Sequence, residues 1–170
     1  MQRNVLLFTF EYKKCEEVLL NKQTKSKPGV VELKIPPVFG YEDLAMELAV
    51  SLAKKMGFPT KKINKLKIAV GEACCNAIEH GNKFQQDTVI VLDFIVEHEV
   101  KLQVDVQDQG EGGVELPSEK PVILKKVQDK ANRRGWGMFL IKKLVDECRV
   151  ADTEQGMRLS MAIFMDKEKI

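Results

Sequence analysis

The chain has 170 residues, 44% of them apolar and 31% charged, with a formal net charge of +2. That is the size and composition of one soluble globular domain with a proper core, and the near-neutral balance gives no electrostatic reason to expect a nucleic-acid or membrane surface. Four cysteines, Cys15, Cys74, Cys75 and Cys148, have no metal or redox spacing, and reduced thiols in a cytoplasmic protein are the economical reading. Val5 to Phe10 is too short and too soon followed by charge for a signal peptide, and no apolar run reaches the length of a membrane span.

Residues 1–28 are expected to form an extension and linker, closed by the polar, basic stretch NKQTKSKPG. An extra strand, a short helix, a disordered arm and an over-long start all remain open for it. The domain proper is expected over 29–170. Val30 to Ile35 reads as a strand stopped by Pro36-Pro37. Tyr41 to Met56 has helical period, with Leu44, Ala45, Leu48 and Leu52 on one face, and ends at Gly57. A second helix is predicted from an N-cap at Thr60 to about His80, with Gly81 as a left-handed terminator. Thr88 to Val96 and Val100 to Gln107 read as an antiparallel hairpin around Glu97-His98-Glu99. The Gly-rich turn QDQGEGG and a polar span to Arg134 follow. Gly135 opens a helix to about Glu147, buried through Leu140, Ile141, Leu144 and Val145. Two strands finish the chain, near Arg149 to Ala151 and over Met157 to Met165. The sum is α+β: a two-layer α/β sandwich whose mixed, mostly antiparallel sheet is covered by about three helices.

Three stretches carry polar groups where a core alone would not need them. In KLKIAVGEACCNAIEHG the buried stripe is Leu66, Val70, Ala73 and Ala77. Glu72 lies roughly 130° from its centre, Asn76 about 90° and His80 about 50°, at ~100° per residue. Such a boundary stripe either faces solvent or lines a cleft. In the second hairpin strand the even positions Val100, Leu102, Val104 and Val106 form the apolar face, so Asp108 on the same parity carries its carboxylate to the buried side. It caps the turn or waits for a donor from a ligand, because a lone buried carboxylate is costly. In ANRRGWGMFLIKKLVDE, Arg133, Arg134 and Gly135-x-Gly137 precede or begin a helix, which is equally a close-packed helix start or an anion site made by free N–H groups. A Rossmann fingerprint, a P-loop, a zinc pattern and a nucleophile motif are all absent from the sequence.

In this order the three stretches resemble the N box and the two glycine boxes of the Bergerat-fold ATPases, the superfamily of DNA gyrase and histidine-kinase catalytic domains. The likeness is closer to the bacterial anti-sigma-factor serine/threonine kinases of partner-switching pathways. It covers about residues 30–165, including Met56-Gly57-Phe58. The resemblance implies ATP and Mg²⁺ as cofactors. It implies that Asn76 helps hold Mg²⁺ against the phosphates, that Asp108 accepts from the adenine amine, and that Gly110 and Gly112 let the pocket close. Gly135 and Gly137 then offer backbone N–H groups to the phosphates, residues 111–134 form the lid, and Glu72 is the general base. Arg133 and Arg134 are placed beside the phosphates by position, and His80 at the helix end beside the pocket. The implied partners are an anti-sigma-factor antagonist as phosphoacceptor, a sigma factor and a second copy of the chain, with no direct nucleic acid and no membrane.

Two other functions stay open. One is a non-catalytic, nucleotide-gated binding protein. The other is a histidine-kinase catalytic domain, disfavoured because no dimerising helix with a phosphoacceptor His stands ahead of residue 30. The sequence departs from the family at Gly156-Met157, where Gly-Thr is common, and at Trp136, where an aliphatic residue is common.

Overall fold

The computed structural model describes residues 28–85, 87–110 and 136–166. Its elements are β1 (Gly29–Ile35), α1 (Glu42–Lys55), α2 (Thr60–Asn76), a π turn (Ala77–Gly81), β2 (Ile90–Glu97), β3 (Lys101–Gln107), α3 (Trp136–Leu144), β4 (Glu147–Thr153) and β5 (Gly156–Phe164). The expected extension lies, apart from Pro28, outside the described residues, as does most of the span after β3.

Strict alternation makes the strands. Ile90, Leu92 and Phe94 on β2, Leu102, Val104 and Val106 on β3, and Leu159, Met161 and Ile163 on β5 are all buried. These residues point from one face of the sheet into the helical layer, and burying each large side chain contributes ~1.5–3 kcal/mol. The five strands run in the order β1-β2-β3-β5-β4. Every pairing among the described residues is antiparallel, so the sheet is less mixed than expected. The opposite face is polar. Asp105 and Gln107 are buried there but satisfied: Gln103 Nε2 donates to Asp105 Oδ1 (2.8 Å), Arg158 Nε to Gln107 Oε1 (3.0 Å), and Gln107 Nε2 to Thr153 Oγ1 (2.7 Å).

The helices correct the sequence reading in detail. The buried stripe of α2 is as expected, with Leu66, Val70, Ala73 and Ala77 inside. On α1, however, Ala45, Ala49 and Ala53 face the core, while Leu44 is 55% exposed and Leu48 and Leu52 are only partly buried. Small residues let α1 approach α2 closely: a Cβ on Gly71 would stand 2.7 Å from Met46 Sδ. On α3 Ile141 is fully buried and Leu140 is 36% exposed, and the helix ends at Leu144, because Glu147 already belongs to β4. The N-cap of α2 is Pro59, whose carbonyl accepts from Lys62 and Ile63 N–H (2.9 and 3.1 Å); Thr60 is the first helical residue and makes no side-chain cap.

Lys62 clamps the start of α2 to the end of β5. Its Nζ donates to the Phe164 carbonyl and to Asp166 Oδ1, both at 2.7 Å, and lies 3.5 Å from Asp146 Oδ2. Asp146 Oδ2 in turn accepts from Phe164 N–H (2.8 Å). Burial pulls the Lys62 pKa down, but Asp166 and Asp146 outweigh it and hold it above the ordinary lysine value. A raised pKa in the folded state means that this stabilisation is complete below the unfolded lysine pKa and is lost as pH rises through the folded one. Lys62→Met is therefore expected to lower stability by ~1 kcal/mol at pH 7, a screened value because Asp166 is largely exposed. In urea unfolding the gap to wild type should close above pH ~10.4; equal midpoints at pH 7 would contradict the clamp.

Candidate functional site

One end of the site is built around Asp108. The chain keeps its β geometry one residue past β3, with Asp108 N–H donating to the Met157 carbonyl (3.0 Å), so the parity argument holds and Asp108 is 3% exposed. Its Oδ1 accepts from Gly110 N–H (3.1 Å) and Met157 N–H (3.0 Å). Among the described residues nothing donates to Oδ2. An acceptor-only oxygen is thus held in place by the backbone and left available.

Glycines shape the space around it. A Cβ on Gly81 would overlap the Asp108 carboxyl, and one on Gly110 would overlap the Gly81 carbonyl. Gly156, at φ +130°, lies against the Asp108 backbone and could not carry a side chain there. Gly81 therefore corrects the sequence reading: it is not a left-handed terminator but a point of close approach. The left-handed residues are Lys83 (φ 49°) and Phe84 (φ 60°), one turn later. The loop they form is anchored by Asn82, a buried residue that the sequence analysis missed. Asn82 Nδ2 donates to Thr88 Oγ1 (2.6 Å) and the Val89 carbonyl (3.2 Å), while Oδ1 accepts from Gln109 N–H (2.9 Å). The only sequence signal was an Asn directly after the helix-end glycine.

The other end lies where α2 meets α3. These helices run antiparallel, since Gly137 faces Glu72 and Asn76 while Asp146, just beyond α3, reaches Lys62 at the start of α2. A Cβ on Gly137 would stand 3.0 Å from Glu72 Oε2 and 3.2 Å from both Asn76 amide atoms. Asn76 Nδ2 is buried with no hydrogen-bond partner. A buried polar atom left unsatisfied costs ~1–3 kcal/mol. An unsatisfied group in that place, beside the backbone of Gly137, calls for a polar partner. No group of three or more His, Cys, Asp or Glu among the described residues could hold a metal by itself. A cation here would draw one protein ligand from Asn76 and the remainder from a bound anion and water, which suits Mg²⁺.

Five residues of helix, ~7 Å of rise, separate Asn76 from Gly81 and so connect the two ends. The last turn is a π turn, in which Asn82 N–H reaches the Ala77 carbonyl (2.8 Å). Wide turns of this kind recur at functional sites. The extra residue rotates His80 away from the course of a regular helix: its side chain is 40% exposed and stands 3.8 Å from Glu79. The geometry brings Glu72, Asn76 and Gly137 together and Asp108, Gly110 and Gly81 together, and leaves His80 facing solvent. Gly112, Arg133, Arg134 and Gly135 lie outside the described residues. Among the described residues the thiols offer no nucleophile. Burial raises the Cys74 pKa, pushes that of Cys75 up to about 11 and raises that of Cys148, so all three stay protonated near neutrality, and all three are free.

An antiparallel sheet under three helices, with Asn76 and Gly137 meeting where two of the helices pack and an Asp108-x-Gly110 turn after β3, is the architecture of a histidine kinase-like ATPase domain. Residues 41–163 match the family model of that domain, and the chain belongs to this family. It is similar to serine-protein kinase RsbW of Bacillus licheniformis, with 32% identity over 86% of this chain and 92% of the relative. RsbW of Bacillus subtilis (strain 168) is 28% identical over the same shares. A solved structure of the RsbU and RsbW domains of a Mycobacterium tuberculosis protein has the same fold, at TM-score 0.54 and 14% identity, covering 82% of this chain and 33% of that one. No described helix is long and apolar enough to cross a membrane.

Proposed function

We propose that this chain is an ATP- and Mg²⁺-dependent protein-serine kinase of a cytoplasmic partner-switching pathway, which phosphorylates an anti-sigma-factor antagonist and sequesters a sigma factor. The observation that carries the reading is the meeting of Glu72, an unsatisfied Asn76 and Gly137 at a helix start. A nucleotide-gated binder needs a purine site and a phosphate site, but it has no use for a carboxylate held at the phosphate end without a partner among the described residues.

Asp108 accepts from the adenine amine through Oδ2, and the close packing of Gly81, Gly110 and Gly156 around it holds that carboxylate in place. The backbone N–H of Gly137, set against Glu72 and Asn76, donates to the terminal phosphates. Asn76 holds Mg²⁺, which when bound supplies charge neutralisation between the phosphates. Glu72 takes the serine hydroxyl proton as the serine oxygen bonds to the γ-phosphorus and the bond to the β-phosphate oxygen breaks, leaving ADP. Gly112 and Gly135 keep the nucleotide-binding roles that the family resemblance implies, and Arg133 and Arg134 that of adding positive charge to phosphate binding. His80, facing solvent, receives no contact in this scheme. A homodimer belongs to the same proposal, as do residues 1–28 as a segment outside the catalytic domain.

Purified chain with γ-labelled ATP and Mg²⁺ should transfer label to serine on an antagonist encoded nearby. Tight ATP binding with no label on any such partner would instead make the chain a nucleotide-gated binder.

A further inference from the structure

Asn82 is 1% exposed in a loop whose next three residues, Lys83, Phe84 and Gln85, are all exposed. Its amide orientation is fixed: the Gln109 N–H requires an acceptor and the Val89 carbonyl a donor, so a flipped amide would lose both bonds. The stitching is reciprocal, because Val89 N–H donates to Gln109 Oε1 (2.9 Å) while Asn82 accepts from Gln109 N–H. Gln109 is the residue between Asp108 and Gly110. The loop so held is itself strained, since Lys83 and Phe84 are consecutive non-glycine residues in the left-handed region. Strain of that kind persists only where surrounding bonds over-determine it. Here Asn82 supplies those bonds, and Phe84 adds an edge contact to Phe39 (ring centroids 5.5 Å apart).

We propose that Asn82 is the positioning residue for base selection: it ties the loop after the π turn to the Asp108–Gly110 turn and so fixes the gap in which Asp108 Oδ2 meets the base. The inference rests on the nucleotide reading given above. Oδ2 is an acceptor, so it favours the adenine amine and opposes guanine, which presents a carbonyl oxygen at the same ring position. The preference depends on how closely that oxygen is held. Gly110 packs on the Gly81 carbonyl only while Gln109 is pinned. Without Asn82 the turn is held less firmly, Gly110 N–H is no longer kept on Oδ1, and the carboxylate, left with the Met157 N–H, loses its fixed orientation. ATP then loses its distinguishing contact, and GTP, which never had it, loses little.

Calorimetry with Mg-ATP and Mg-GTP on the full chain tests this. Asn82→Ala is expected to weaken ATP binding by about tenfold and to change GTP binding by less than about twofold, the scale of one lost buried hydrogen bond. Asn82→Asp keeps the acceptor for Gln109 N–H but loses the donor to the Val89 carbonyl, and should restore the ATP preference only in part. Should Asn82→Ala fail to fold, Thr88→Val removes the hydroxyl that accepts from Asn82 and donates to the Gln85 carbonyl within the same loop, and is expected to weaken ATP by roughly threefold, again sparing GTP. Equal losses for ATP and GTP, or no loss for either, would overturn the positioning role and leave Asn82 a scaffold residue. A wild-type chain that binds ATP and GTP equally, or an Asp108→Asn protein that keeps the wild-type ratio, would overturn the nucleotide reading itself and this inference with it.

Discussion

Asp108→Asn is expected to weaken adenine-nucleotide binding by about ten- to hundredfold, the worth of a hydrogen bond to a charged acceptor. The variant should fold, because its Oδ1 can still accept from Gly110 and Met157 N–H, the two bonds that seat the side chain. What changes is the other atom. In place of the free Oδ2 the amide presents a donor to the adenine amine, which is itself a donor, so a favourable contact becomes an unfavourable one. The substitution alters neither volume nor the close approach of Gly81. Calorimetry is the check, with the thermal midpoint as control for folding. Unchanged affinity would refute the purine pocket.

Glu72→Gln is expected to lower the rate of serine phosphorylation by about 10²–10⁴-fold, the usual contribution of a general base. ATP affinity should stay within about threefold, since glutamine fills the same space against Gly137 and binding does not need the proton to move. The split between rate and affinity identifies the role. A residue that merely packs α2 against α3 would alter stability and binding together, whereas a base alters the chemical step. Transfer at the wild-type rate would show the base assignment to be wrong, with the pocket itself untouched.

Much of this was legible in the sequence because period-two alternation and inward parity are written residue by residue. Val104 and Val106 predict the face that Asp108 occupies, and Leu66, Val70, Ala73 and Ala77 predict how α2 lies. Alternation also gave the β2–β3 hairpin and β5. The resemblance then supplied what no local pattern holds, namely that helix, turn and second helix share one cleft.

The remainder depends on contacts between distant segments. The alanine face of α1 was hidden because hydrophobicity points to leucines, while close helix packing selects for small size. The π turn leaves composition untouched and changes only which carbonyl each N–H reaches, so His80 was placed nearer the core than the structure puts it. Gly81 was read through its own backbone freedom, whereas its reason lies 27 residues away in the Asp108 carboxyl, the same separation that the Asn82–Gln109 bond spans. Asn82 looked like an ordinary loop residue because nothing local marks which of its neighbours will need it.

The central claim is that one nucleotide spans both ends of the cleft. Amide chemical-shift mapping tests it directly, by comparing adenosine with Mg-ATP on the same labelled protein. Adenosine should shift Gly81, Gly110 and Met157 and leave Gly137 and the Asn76 side-chain amide where they were. Mg-ATP should move both groups, as its phosphates reach the start of α3. If Mg-ATP leaves Asn76 and Gly137 unshifted while it binds at Asp108, the two ends do not belong to one site and the account is wrong.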